Sequence, residues 1–79
     1  MERTIKSPIP GTFYRRPSPH ADPYVGEGDR VQPGDVVGIV EIMKQFHEIR
    51  SDTEGTIARF LVENEELIDA EQDIIALGD

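Results

Sequence analysis

The 79 residues include no cysteine, which excludes disulfides and cysteine-based zinc sites and fits a reducing compartment. No stretch approaches the roughly 18 apolar residues that a membrane-spanning helix needs. No charged n-region followed by an apolar h-region opens the chain. The sequence is therefore read as cytoplasmic, with no membrane partner. Helical periodicity is also missing: no window of about eleven residues repeats its apolar positions at the helical spacing. Lysine and arginine are missing from Glu63 to Asp79, a run that holds Glu63, Glu65, Glu66, Asp69, Glu71, Asp73 and Asp79. Positive charge gathers instead at the start, in Arg3, Lys6, Arg15 and Arg16 against Glu2. The net charge of −8 argues against nucleic acid as a partner. The acidic run reads as a solvated face, or as steering toward a basic partner.

What remains is a small single domain rich in strand signals. Packing alone supplies a chain of this length with only about 3–5 kcal/mol, so a closed sheet is the expected way to bury enough surface. Thr4–Ser7 and Thr12–Arg15 read as short strands around a Pro-Ile-Pro-Gly corner. Gln32-Pro33-Gly34-Asp35 reads as a turn. Val36–Ile42, Gln45–Arg50, Thr56–Val62 and Asp73–Leu77 read as further strands. Two small antiparallel sheets packed as a flattened barrel bury Phe13, Val31, Val37, Ile39, Ile49, Ile57, Val62 and Ile74 in this reading.

An internal repeat organises these elements. Ser7-Pro-Ile-Pro-Gly-Thr-Phe-Tyr-Arg15 aligns with Ser51-Asp-Thr-Glu-Gly-Thr-Ile-Ala-Arg59 at an offset of 44. Glu27-Gly-Asp-Arg-Val31 aligns with Glu63-Asn-Glu-Glu-Leu67 at an offset of 36. The first copy then holds an eight-residue insertion between Arg15 and Glu27. Glu63–Gln72 becomes a turn region matching Glu27–Gly34. The insertion falls in Arg15–Pro23, "RRPSPHADP", whose prolines make a stiff, exposed loop. Two copies of this size predict a pseudo-two-fold body.

Between the copies lies Val40–Ile49, "VEIMKQFHEI". Strand formers flank Lys44, yet the middle holds no Gly, Asn, Asp or Pro. Tight hairpins favour Asn-Gly or Asp-Gly, so Met43-Lys44 breaks a local rule, and such breaks mark functional positions. A methionine at a turn tip has no packing role and suits a partner surface.

"EIMK" at Glu41–Lys44 resembles the Glu-Ala-Met-Lys biotin attachment motif. "SPIPGTFYRRPSP" at Ser7–Pro19 resembles the biotinyl domain of bacterial biotin carboxyl carrier proteins, the carrier subunits of acetyl-CoA carboxylase. The resemblance runs from about Thr4 to Leu77. It implies the biotinyl/lipoyl hammerhead, a barrel of two four-stranded antiparallel sheets. It implies biotin on Lys44, with Glu41, Ile42, Met43 and Gln45 read by a biotin protein ligase. It implies that Arg16, Pro17, Ser18, Pro19, His20, Ala21, Asp22 and Pro23 form the thumb over the biotin ring. Biotin carboxylase and carboxyltransferase are then the partners, and the domain is a non-catalytic carrier. The chain departs from the family pattern at Ile42, where alanine is usual, at Gln45, where Met or Leu is common, and at Arg16, where Thr is common. These departures suggest a divergent carrier, for acetyl-CoA carboxylase or a related acyl-CoA carboxylase. A lipoyl carrier and an unmodified interaction domain of the same fold are the alternatives.

No independent enzyme site emerges. His20 and His47 lack metal-ligand spacing, and Ser18 lacks a nucleophile elbow. Gly26-Glu27-Gly28-Asp29 reads as a turn, because the lysine of a phosphate loop is missing.

Overall fold

The computed structural model describes residues 3–78; Glu2 and Asp79, both part of the charge asymmetry, lie outside them. The strands are β1 (Arg3–Lys6), β2 (Gly11–Tyr14), β3 (Arg30–Val31), β4 (Val36–Ile42), β5 (Gln45–Arg50), β6 (Gly55–Phe60), β7 (Leu67–Ile68) and β8 (Asp73–Gly78). One sheet runs β1-β8-β6-β3 and the other β5-β4-β2-β7, with every pairing antiparallel. The second order repeats the first with each strand exchanged for its counterpart in the other half of the chain. This is the expected two-fold barrel, and it fixes where the tip must lie.

The hydrogen bonds give the repeat its register. The Gly28 N–H donates to the Ile57 carbonyl at 2.8 Å, and the Glu65 N–H donates to the Phe13 carbonyl at 2.6 Å. The Ser51 N–H donates to the Asp35 carbonyl at 2.9 Å, and the Ser7 N–H to the Gln72 carbonyl at 3.1 Å. Gly28 thus matches Glu65 and Asp35 matches Gln72, an offset of 37 rather than 36. The cause is side-chain direction. Val31 is buried and its true counterpart is Ile68, whereas Leu67 stands 78% exposed. A slip of one residue would turn β7 inside out. The insertion is therefore seven residues, not eight: residues 16–23 between Arg15 and Tyr24 stand where the second half has only Phe60. The Tyr24 N–H closes this loop on the Arg15 carbonyl at 2.9 Å.

All eight expected core residues are buried. Ile5, Val40, Ile68, Ile75, Ala76 and Leu77 join them. The simple alternation of a half-buried strand breaks down along β4 and β8, each an interior strand with a run of four buried residues. In β4 a bulge at Val37 turns successive residues inward. Gly38 is required beside it, because a Cβ there would meet the Phe13 ring at 2.6 Å. Ile39, although buried, faces the other way, out from the core and under the inserted loop. The short strands β3 and β7 were not read from the sequence. Each is held by side-chain-capped turns: Asp29 Oδ2 accepts from the Gly26 N–H, and Glu66 Oε1 from the Glu63 N–H in the matching place.

Candidate functional site

β4 and β5 close as a hairpin whose last pair is Ile42 with Gln45. Only Met43 and Lys44 remain for the turn, and both have left-handed backbones, φ 50° and 67°. Positive φ at both central residues is the type I′ requirement, which matches the right-handed twist of the strands. The chain reverses here despite its side chains, because the flanking ladder from Val36–Arg50 to Ile42–Gln45 leaves no other path. Met43 is 91% exposed and Lys44 is exposed beside it. The two-fold symmetry matches this tip with the opposite pole, where β1 and β8 meet at the Arg3–Leu77 pair.

Lys6 and Lys44 are the only lysines. They differ sharply in environment. The Lys6 ammonium donates to Asp73 Oδ1 at 2.6 Å, and this hydrogen bond and charge raise its pKa above 10.5. Among the described residues Lys44 makes no ion pair.

The tip stands on an organised sheet face. Thr12 pairs with Glu41, and Glu41 with Phe46, so the three side chains share one row. Two residues along, on the same face, Tyr14 pairs with Ile39. The Tyr14 hydroxyl donates to Glu41 Oε1 at 3.2 Å, and its ring tilts 56° against Phe46 at 6.4 Å. Burial, then the Glu41 hydrogen bond and charge, raises the Tyr14 pKa above 10.0 and keeps the hydroxyl a donor.

The inserted loop lies across this face. Arg16, Pro17, Ser18 and Pro19, with Tyr14, Ile39, Phe46, Asn64 and Glu65, enclose a cleft of about 450 Å³. Ile39 is only 5% exposed because this loop covers it. The second part of the loop, His20–Pro23, lines no part of this cleft. It braces the first instead: the Ala21 N–H donates to the Ser18 carbonyl at 3.1 Å, and Arg16 Nη1 donates to the Ala21 carbonyl at 3.4 Å. At the base of the loop the Arg15 guanidinium lies 4.1 Å from the Phe60 ring centroid, and its Nη2 donates to the Val62 carbonyl at 3.1 Å.

Of the residues singled out from sequence, Glu41, Ile42, Met43, Lys44 and Gln45 gather at the tip, and Arg16–Pro19 lean over the adjoining face. Ile42 is half-buried and packs against the core. The sequence reading missed Tyr14, Phe46, Asn64 and Glu65. Phe46, 60% exposed on β5, carried a signal in the sequence: a large aromatic two places after Lys44. His20 and His47 are exposed, and no cluster of three or more metal-ligating side chains occurs among the described residues. Gly26–Asp29 forms the expected turn, with the Asp29 N–H donating to the Gly26 carbonyl at 3.1 Å.

Two pseudo-symmetric four-stranded sheets with a lysine hairpin at one pole define the hammerhead class of biotinyl and lipoyl domains. The chain belongs to the biotin/lipoyl attachment family, described as biotin-requiring enzyme, whose profile matches residues 3–77. It is 49% identical over 61 residues to biotin carboxyl carrier protein of acetyl-CoA carboxylase 1, chloroplastic, of Arabidopsis thaliana, covering 77% of this chain and 22% of that protein. It is 38% identical over 73 residues to the biotin carboxyl carrier protein of acetyl-CoA carboxylase of Pseudomonas aeruginosa, covering 92% of this chain and 47% of that one. The chain thus spans less than half the length of these relatives. Urea carboxylase of Kluyveromyces lactis contains the same fold, with a TM-score of 0.77 at 22% identity over 99% of this chain and 6% of its own. So does an aspartoacylase family protein of Mesorhizobium loti, with a TM-score of 0.66 at 25% identity over 94% of this chain and 22% of its own. The fold therefore recurs beyond carboxylases, and function rests on the site. Biotin, rather than lipoate, is the cofactor that the family description and the carrier relatives name. No helix among the described residues is long and apolar enough to cross a membrane.

Proposed function

We propose that Lys44 is the residue that carries biotin, and that this domain presents it to the active sites of a carboxylase without catalysing a step itself. One observation carries the reading: the Met43-Lys44 turn, strained and exposed, at the pole opposite the Arg3–Leu77 pair. A modifying enzyme must bring its bound acyl group to the amine, so the amine has to project beyond the barrel on a rigid mount. Glu41, Met43 and Gln45 surround it as the features a biotin protein ligase would read. Ile42 supports the hairpin from below.

In loading, the neutral Lys44 amine attacks the acyl carbon of a biotinyl adenylate. The N–C bond forms, the C–O bond to the adenylate breaks, and the ammonium proton passes to solvent. Lys6, held protonated by Asp73, is a poor competitor. When bound, biotin supplies the ring nitrogen that takes up a carboxyl group at a biotin carboxylase site and yields it at a carboxyltransferase site. The domain's own contribution is reach. A tether holds the tip near its partners at an effective concentration on the order of millimolar. The cleft fits a compact, largely apolar ring: Tyr14, Ile39 and Phe46 form its floor and Pro17 and Pro19 its cover. Residues 16–23 are read as the thumb of a biotinyl domain.

Acetyl-CoA carboxylase, or a related acyl-CoA carboxylase, is the proposed setting. It is supported by the relatives' printed names. A cytoplasmic location belongs to the same proposal. The test is co-expression with a biotin protein ligase followed by intact-mass measurement. The expected result is a mass gain of one biotin, lost in Lys44→Arg. A gain of lipoyl size, or none with any ligase, would overturn the proposal.

A further inference from the structure

Arg16 is half-buried in the wall of the cleft. Its contact with the Ala21 carbonyl, at 3.4 Å, uses one Nη and neutralises no charge. Among the described residues no carboxylate lies within ion-pair distance of it. In a chain of net charge −8, a guanidinium that has no ion-pair partner in a concave site is a fixed positive charge available to an anion, although Glu65 lines the same cleft. The floor beneath it is aromatic and aliphatic. A ligand that satisfies both surfaces has a compact apolar body and an anionic group at its edge.

The ring of biotin is neutral, and its carboxylated form is an anion. We infer that Arg16 makes the cleft selective for the carboxylated ring over the uncarboxylated one, so that the domain shelters its cargo between active sites. This rests on Lys44 as the attachment residue. Reach is no obstacle: Phe46, on the cleft floor, lies two residues from Lys44, about 7 Å along the strand. Loss of the cargo breaks the bond between the ring nitrogen and the carboxyl carbon. The electron pair stays on the nitrogen, which takes a proton from water, and CO₂ leaves. A guanidinium bound to the carboxylate holds negative charge on its oxygens and opposes that shift. Glu65 also lines the cleft, and Glu41 touches Tyr14 at its floor. Both carboxylates act against Arg16, so removing the Glu65 charge should sharpen the preference.

The experiment uses the whole chain, biotinylated and checked by intact mass. It is then carboxylated with ¹³C-bicarbonate, MgATP and a biotin carboxylase that is afterwards removed. Two readouts follow: the ¹⁵N–H signal of the Arg16 side chain, and the rate at which label leaves the protein. The Arg16 signal should move on carboxylation far more than on biotinylation. Arg16→Gln should release label about two- to fivefold faster, as expected for a half-exposed charge pair. Arg16→Lys should keep part of the protection, and Glu65→Gln should slow release. A carboxylated protein whose Arg16 signal does not move, or an Arg16→Gln variant that releases label at the wild-type rate, overturns this inference alone. A Lys44 that never gains biotin overturns the attachment reading and this inference with it.

Discussion

Met43 and Lys44 occupy the two central positions of one type I′ turn, each with a backbone that ordinary side chains avoid, φ 50° and 67°. Left-handed conformation costs a non-glycine residue roughly 1–2 kcal/mol. A pair with better turn chemistry should therefore stabilise the domain. The double variant Met43→Asn/Lys44→Gly is expected to raise unfolding free energy by about 1–2 kcal/mol in urea while abolishing biotin uptake. Stability that falls instead would mean that the tip is not under strain.

The same backbone conformation recurs in the second half. Glu65 and Glu71 have φ of 70° and 66°, where their counterparts Gly28 and Gly34 have 91° and 95°. Their backbone N–H groups bond to Phe13 and Ser7, and glycine keeps both bonds. Glu65→Gly and Glu71→Gly should each stabilise by up to about 1 kcal/mol after glycine's own entropy cost. Thermal unfolding of the two variants checks this.

Gly38 offers the opposite case. A Cβ there would meet Phe13 Cε1 at 2.6 Å, in the middle of the core. Gly38→Ala should destabilise by about 1–3 kcal/mol, read from the urea midpoint, because overpacking forces neighbours off their rotamers.

The Lys6–Asp73 pair ties β1 to β8. The Lys6 hydrogen bond, then that of Thr4, holds Asp73 below 3.8, while the Asp73 hydrogen bond and charge hold Lys6 above 10.5. A depressed carboxylate stabilises above its unfolded value, and a raised ammonium stabilises below its own. The contribution is thus present between about pH 4 and pH 10, lost as pH falls through the folded value of Asp73 or rises through that of Lys6. Asp73→Asn should remove this dependence at the acid end while leaving stability near neutral pH only slightly lower. Equilibrium unfolding across pH 2–7 is the measurement.

The second half bridges Arg59 and Leu61 with Phe60 alone, where the first half needs residues 16–23. Replacing Arg16–Pro23 by a single residue should leave the barrel folded and Ile39 exposed, with carboxyl transfer impaired. Amide exchange that shows global unfolding would make the insertion a structural element instead.

The barrel was legible because its two halves repeat, and because Phe13, Val37, Ile57 and Ile74 fall on inward strand positions. The register of the second half was not. Glu65 and Glu71 take turn positions that glycine holds in the first half, so residue type pointed away from the match. The tip was legible as a broken rule. The face beneath it was not, since Tyr14, Ile39 and Phe46 come together only once β2, β4 and β5 lie side by side. Nothing in a proline-rich stretch says onto which face it will fold. Ile39 shows the limit: it was correctly read as buried, but it is covered by a loop rather than by the core.

The most direct test is peptide mapping of the ligase-treated chain, since only two amines compete on side chains. All added mass is expected on the peptide that contains Lys44, with Lys6 unmodified. Biotin on Lys6, or on neither lysine, would contradict the account.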